Sequence, residues 1–451
     1  MSVDATVERL ASSDKTEREA AEEALVAAGA EAVEPVLRAL CDEESPIDWS
    51  TSASLLRRLG DPAFGPLIAA MAAAPTSEVA RRCGWALMAV EVSTPAVYLP
   101  ALRHPHPKVR KSGIYFLCWQ RKAAAEPYLP DLIALLDDPD EGVRDNLIRG
   151  FGEIGAVAAP ALREVRRGAG RKRRGALAAL AEIGGWGALD DHDRQAIIRL
   201  IEIKSGYEDP EPMHLCGSWY AVPTADQAAV LDAFDLVEPR PVTMRLGESA
   251  WNRDSHSWTR GPHHGCRRVY VTPALDGWTL VFGRMPAVAH AIRGDDFEAV
   301  FRADAKDRCA RLSARFGAAH WYGTSCGDGW TAWCIAEKGE VVRFYDVFGP
   351  DDQIGDGHPA EAGYRLPHDN GIPESILRDP DLLSAPDLVD RIRRAREEEG
   401  IPEEVDSTEI AGRLSVNPHE FGPHTRVEGR AVLALTACGV AHGSTPGVVA
   451  I

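Results

Sequence analysis

The chain has 451 residues, 45% of them hydrophobic and 26% charged, which leaves room for two or three globular domains and excludes a disordered or fibrous chain. No apolar run reaches the ~18 residues a membrane-spanning helix needs, and residues 1–10, which include Asp4, Glu8 and Arg9, lack the apolar centre of a secretory signal. The net charge of −18 opposes wholesale binding to nucleic acid or an anionic membrane, but residues 1–204 carry 26 basic and 30 acidic side chains against 24 and 38 in residues 205–451.

The first half repeats. Prolines at 35, 66, 100, 130 and 160 each open an apolar segment, as a proline at the first position of a helix would. Gly29, Gly60 and Gly155 precede three of them by five or six residues and are placed to end the preceding helix in the left-handed conformation. The unit is helix, tight turn, helix, with a period of about thirty residues. Six units begin near residues 5, 41, 74, 104, 137 and 169. Pro107-Lys108-Val109-Arg110 and Glu141-Gly142-Val143-Arg144 open two of them, and Asp137 to Asp140 supply oxygens suited to capping the next helix. In the sixth unit an acid-capped helix starting at Leu189-Asp190-Asp191 replaces the proline, as expected of a capping repeat.

These phrases, together with Ile154-Gly155…Pro160, resemble HEAT repeats of the short, phycobilisome-lyase-like variety over about residues 5–204. The resemblance implies an α-solenoid whose extended face binds another macromolecule. Within it, Arg163, Arg166, Arg167, Arg171, Lys172, Arg173 and Arg174 put seven cations into twelve residues. This is the candidate binding segment, suited to an acidic partner or to the acidic C-terminal half. Nucleic acid ranks below protein as its ligand because of the overall charge.

The thirty-residue period stops after Lys204. Residues 205–213 read as a linker, and 214–451 as an α+β domain with a mainly antiparallel sheet. The expected elements are a strand at 218–222, a helix capped by Thr224 and Gln227, a His-rich excursion over 240–267, and strands at 268–272 and 278–282 joined through Asp276-Gly277. A helix at 296–316 follows, then strands at 319–323, 330–336 and 341–347, helices at 385–399 and 408–414, and a last strand at 430–435. The first six of these elements have the ferredoxin-like order β-α-β-β-α-β. Val269–Gly283, Leu312–Gly323 and Leu414–Thr436 resemble phrases of uncharacterised HEAT-repeat proteins of actinomycetes, which implies a bacterial, intracellular protein and brings no activity with it.

Three constellations could carry chemistry. His256, His263, His264 and Cys266 offer imidazoles and a thiol suited to zinc, but their spacing matches no finger, so polar loop residues and no metal are expected. Cys326, in a Gly-rich turn with His320 six residues before it and Asp328 two after it, is a candidate nucleophile and base, and Asp346 is a separate candidate catalytic residue. The turn lacks the Gly-Lys-Ser/Thr ending of a phosphate loop. Asp346, Asp351, Asp352 and Asp356 cluster after a strand and read as a solvated acidic loop. The nine cysteines form no CxxC pair, so free thiols in a cytoplasmic protein are expected. No cofactor is expected. The leading expectation is a cytoplasmic adaptor binding a protein or peptide partner. The alternative is an enzyme with a pocket in the Trp/His-rich C-terminal domain, to which the solenoid presents substrate.

Overall fold

A computed structural model describes residues 2–88, 90, 92–256, 266–285, 295–369, 371–378 and 388–442. The chain divides into two compact units, Met1–Leu189 and Asp190–Ile451. The helix following Leu189 groups with the second unit.

After a short α1 (Val3–Glu8), the first unit is built of helix pairs. They are α2 (Lys15–Ala28) with α3 (Ala30–Cys41), α4 (Trp49–Leu59) with α5 (Asp61–Ala72), α6 (Ser77–Met88) with α7 (Leu99–Leu102), α8 (Pro107–Tyr115) with α9 (Leu129–Ala134), and α10 (Glu141–Ile154) with α11 (Ala159–Arg167). The first helix of a sixth pair, α12 (Arg173–Gly184), packs on α10 and α11. The next helix, α13 (Asp191–Lys204), belongs to the second unit and is capped by the Asp190 carboxylate accepting from Asp193 N. Leu25, Val36, Leu56, Leu87, Leu132, Leu147 and Leu162 are all buried, one leucine or valine after another along the array. Tyr98 stacks on Phe116 at 4.7 Å between ring centres.

Gly29, Gly60, Gly155 and Gly185 each turn one helix into the next with φ between 56° and 77° and ψ between −128° and −151°. The positive φ expected at the first three is present, but ψ places them in the mirror-β region, not the left-handed helical one, and only glycine adopts that backbone without strain. Pro100, Pro130 and Pro160 lie at helix starts as expected. Pro35 and Pro66 do not, since each sits inside its helix. In the later repeats a 3-10 turn precedes the proline (Pro95–Tyr98, Glu126–Tyr128, Gly155–Ala158), and the α-helix begins only after it.

The recurring Val-Arg phrase has a structural task. Arg110 Nη1 donates to the carbonyls of His104 and Pro105, and Arg144 Nη1 to those of Asp138 and Pro139. Each guanidinium thus fastens the turn that precedes its own helix. Arg110 also grips the Asp138 carboxylate of the next repeat through two bonds of 2.7 Å, with both side chains buried.

The second unit is a nine-stranded antiparallel sheet, order β2-β9-β3-β4-β1-β5-β6-β7, with β8 pairing β3. The strands are β1 (Gly217–Val222), β2 (Val237–Pro241), β3 (Arg268–Leu275), β4 (Trp278–Phe282), β5 (Ala318–Thr324), β6 (Thr331–Glu337), β7 (Glu340–Asp346), β8 (Val427–Glu428) and β9 (Val432–Leu435). Strand β2 was not expected; every residue in it is exposed, so it carries no alternating apolar signal. The helix after β1, α14 (Gln227–Ala233), is capped by Asp226, whose carboxylate accepts from Ala229 N, and starts later than the expected Thr224 cap.

Alternation along the strands gives each sheet face its own cover. Tyr220, Val271, Val281, Trp321, Cys334 and Phe344 pack with α14 and with α16 (Asp295–Phe316). On the opposite face Trp219, Tyr270, Phe282 and Tyr322 meet α15 (Met244–Ser255) and the end of α18 (Ser407–Leu414), which follows α17 (Leu388–Glu399). Helix α15 lies so close to the sheet that a Cβ at Gly247 would fall 2.2 Å from Tyr270 Cε2. Among the described residues no helix is long and apolar enough to cross a membrane.

Candidate functional site

The basic segment spans the end of α11, the connecting loop and the first turn of α12. Arg163, Arg167, Arg171, Arg173 and Arg174 are exposed. Two backbone contacts brace the loop, since Arg173 Nε donates to Arg166 O at 3.0 Å and Arg166 Nη1 to Arg173 O at 3.5 Å. Lys172 lies 3.7 Å from Asp137 of the preceding repeat, and Arg163 reaches Ala188 O. Among the described residues, Arg167 and Arg171 make no ion pair. Arginines in the last turn of α11 complement that helix's dipole, whereas Arg173 and Arg174 in the first turn of α12 oppose theirs by about 0.3–1 kcal/mol each.

The candidate catalytic residues of the second unit do not come together. His320 lies mid-strand on β5, on the sheet face away from α16, stacked on Trp278 at 5.1 Å with Tyr322 Oη 3.1 Å from its Nδ1. Burial, reinforced by His358, lowers its pKa to about 4. Asp346 ends β7 on the opposite face, beneath α16, where Trp330 Nε1 and Phe348 N donate to it and Arg302 lies 3.6 Å away. Cys326 is in the exposed β5–β6 turn, and its neighbour Cys216 raises the pKa of its thiol. A nucleophilic cysteine needs that shift in the other direction. His320 and Asp346 thus lie on opposite faces of the sheet, and Cys326 lies in the turn beyond β5.

The acidic loop after β7 is not free either. Asp352 accepts from Lys306 at 2.6 Å and lies 3.3 Å from Arg302, so cations of α16 neutralise it. Of the four zinc candidates, His263 and His264 lie outside the described residues. Cys266 is buried 3.0 Å from the Cys438 sulfur, while His256 is the exposed C-cap of α15. Instead, His256 meets His214 and Cys326, whose ligand atoms all lie within 4.8 Å of one another.

At the same end of the sheet is a cavity of about 250 Å³, lined by the starts of β1 and β3, the ends of β4, β5 and β7, and the facing ends of α15 and α16. Trp251 and Phe282 (4.7 Å between rings) form one wall, Phe301 and Trp330 another. Two ion pairs reach it: the bidentate Arg268–Asp254 contact, at 2.7 and 3.0 Å, and Arg302–Asp346. The concentration of tryptophan was legible in the sequence. The arginine–aspartate pairs were not, because each joins residues 14 or more apart on different elements.

Residues 95–185 match the family model for HEAT repeats. No curated protein matches the chain. Among solved structures, a designed armadillo repeat protein is 17% identical over 42% of this chain and 100% of its own, with a TM-score of 0.22. An engineered protein is 17% identical over 39% and 94%, with a TM-score of 0.20. Another designed armadillo repeat protein, in complex with the peptide (KR)4, is 18% identical over 40% and 98%, also at 0.20. Helical repeats thus fill the N-terminal half of the chain, and residues 95–185 among them match HEAT repeats.

Proposed function

We propose that the N-terminal unit is a binding module that captures an acidic segment of a protein or peptide partner in the cytoplasm, with the Arg163–Arg174 segment supplying the charge. The observation that carries this reading is the exposed cluster of guanidinium groups around the α11–α12 loop, in which Arg167 and Arg171 make no ion pair among the described residues. Stacked repeats bury a continuous core and leave extended surfaces whose loops vary without cost to the fold, which suits them to partner recognition. Arginine forks favour carboxylates, which they engage through paired hydrogen bonds.

Affinity capture from a host lysate tests it. The full chain retains a specific protein, and Arg167→Glu with Arg171→Glu reduces its recovery at least about tenfold. Equal recovery by the reversed chain contradicts the assignment. Both substitutions are at exposed positions, so folding is preserved.

A second reading, an enzyme or carrier acting on a small molecule, is supported by the aromatic cavity with its two arginine–aspartate pairs. The strand order β3-β4-β1-β5 and the helices following β1 and β4 also favour a ferredoxin-like nucleus for this unit. Under this reading Trp251→Ala weakens ligand-induced thermal stabilisation without abolishing capture of the protein partner.

A further inference from the structure

Three segments far apart in sequence converge beside the cavity. The antiparallel pairing of β1 with β5 places Gly217 opposite Thr324, so the residues just before β1 run alongside the turn just after β5. That register brings Cys216 to Cys326, close enough for the two thiols to interact. Helix α15, packed over the sheet through Trp251, ends at its C-cap His256 next to the same turn, with His256 Nε2 3.6 Å from Cys326 Sγ. His214 lies two residues before Cys216. Its ring stacks on His256 at 5.6 Å, and its backbone N–H is held by Glu248 Oε1 of α15 at 3.0 Å.

We propose that His214, His256 and Cys326, whose ligand atoms lie within 4.8 Å of one another, hold one Zn²⁺ ion at the rim of the cavity, with Cys216, the neighbour of Cys326, closing a four-coordinate site. Two imidazoles and two thiolates are the donor set that selects zinc over magnesium or calcium. Tetrahedral coordination with Zn–S near 2.3 Å and Zn–N near 2.05 Å puts a ligand sulfur and nitrogen about 3.6 Å apart. That is the spacing between Cys326 Sγ and His256 Nε2. The remaining nitrogen of His256 lies 2.7 Å from the backbone carbonyl of Asn252, one turn earlier in α15. A histidine ligand commonly donates its second N–H in this way, which fixes the tautomer and turns the other nitrogen toward the ion. Ligands drawn from the entry to β1, the end of α15 and the β5–β6 turn would pin three edges of the cavity to one another. The inference is independent of partner binding by the repeats.

The test uses the full chain, purified with reductant, stripped with a chelator and titrated with Co²⁺ and then Zn²⁺. The expected result is thiolate-to-cobalt charge-transfer absorption with the ligand-field bands of tetrahedral cobalt, displaced by one equivalent of zinc and not by Mg²⁺. Cys326→Ser and His256→Ala each weaken zinc binding at least about tenfold. Cys216→Ser removes about half of the charge-transfer intensity, since one of two thiolates is lost. Cys41→Ser, in the first unit, changes nothing. Zinc raises the melting temperature of the unsubstituted chain but not of Cys326→Ser, while circular dichroism shows that both are folded. Absence of the charge-transfer band, zinc binding that survives both Cys326→Ser and His256→Ala, or a Cys216–Cys326 disulfide formed in the presence of reductant would each overturn the proposal. An unaltered cobalt spectrum in Cys216→Ser would overturn the four-ligand set.

Discussion

Arg110 shows how one side chain secures a repeat junction. Its guanidinium spends two bonds on the turn before its own helix and two on Asp138 of the next repeat, and both members of the ion pair are buried. Removing one member of such a pair leaves the other charge without water or a counterion. Arg110→Ala is therefore expected to destabilise the first unit by about 3–5 kcal/mol, measured by urea denaturation. Arg149→Ala, which removes an arginine for which the structure shows no such pairing, is expected to stay within about 0.5 kcal/mol. The Val-Arg phrase was visible in the sequence as a repeated marker, but its target was not, because the bond to Asp138 spans 28 residues.

His320 carries a pH signature. Its folded pKa, about 4, lies below the ordinary histidine value because burial disfavours the imidazolium, so between about pH 6.5 and 4 the unfolded chain binds a proton that the folded chain does not. Stability from this group is intact above pH 6.5 and declines as the pH falls through that window, by about 2 kcal/mol between pH 7 and 5. Urea denaturation at the two pH values should show this loss in the unsubstituted chain and a loss smaller by about that amount in His320→Gln. Equal pH sensitivity in the two proteins would contradict the assignment.

At the scale of elements, the helical half was more legible than the sheet. A helix pair repeats its contacts locally, so prolines and glycines recurring every thirty residues revealed the array. The details departed where one local rule overrode another. Pro35 and Pro66 are accommodated inside helices, and the turn glycines use a mirror-β backbone. Gly155→Ala should consequently cost about 1–3 kcal/mol in a thermal melt although a methyl group meets nothing within 4 Å there; the cost is backbone strain alone. In the second unit, strand pairing is nonlocal, and a side chain's face depends on counting residues by twos. That is why His320 and Asp346, candidates taken from separate stretches of the sequence, fall on opposite faces of the sheet. It is also why His256 and Cys326, 70 residues apart, appeared in separate constellations and yet meet. Glu361 makes the same point: it receives Trp333 Nε1 and Arg343 Nε, each at 2.7 Å, and ties the loop after β7 to the sheet.

At the scale of the whole molecule, the net charge of −18 conceals a division of labour. The first unit is nearly balanced and places seven of its cations between Arg163 and Arg174. The acidic excess lies in the second half, where α16 neutralises part of it through Arg302 and Lys306. The proposed function requires the Arg163–Arg174 segment to recognise carboxylate-bearing protein. The most direct measurement is a fluorescence-anisotropy titration of the full chain with a fluorescein-labelled polyglutamate peptide at low and at raised salt. The expected result is saturable binding that weakens as salt rises and falls at least about tenfold in Arg167→Glu/Arg171→Glu. Absence of saturable binding at low salt, or equal affinity in the reversed chain, would contradict it.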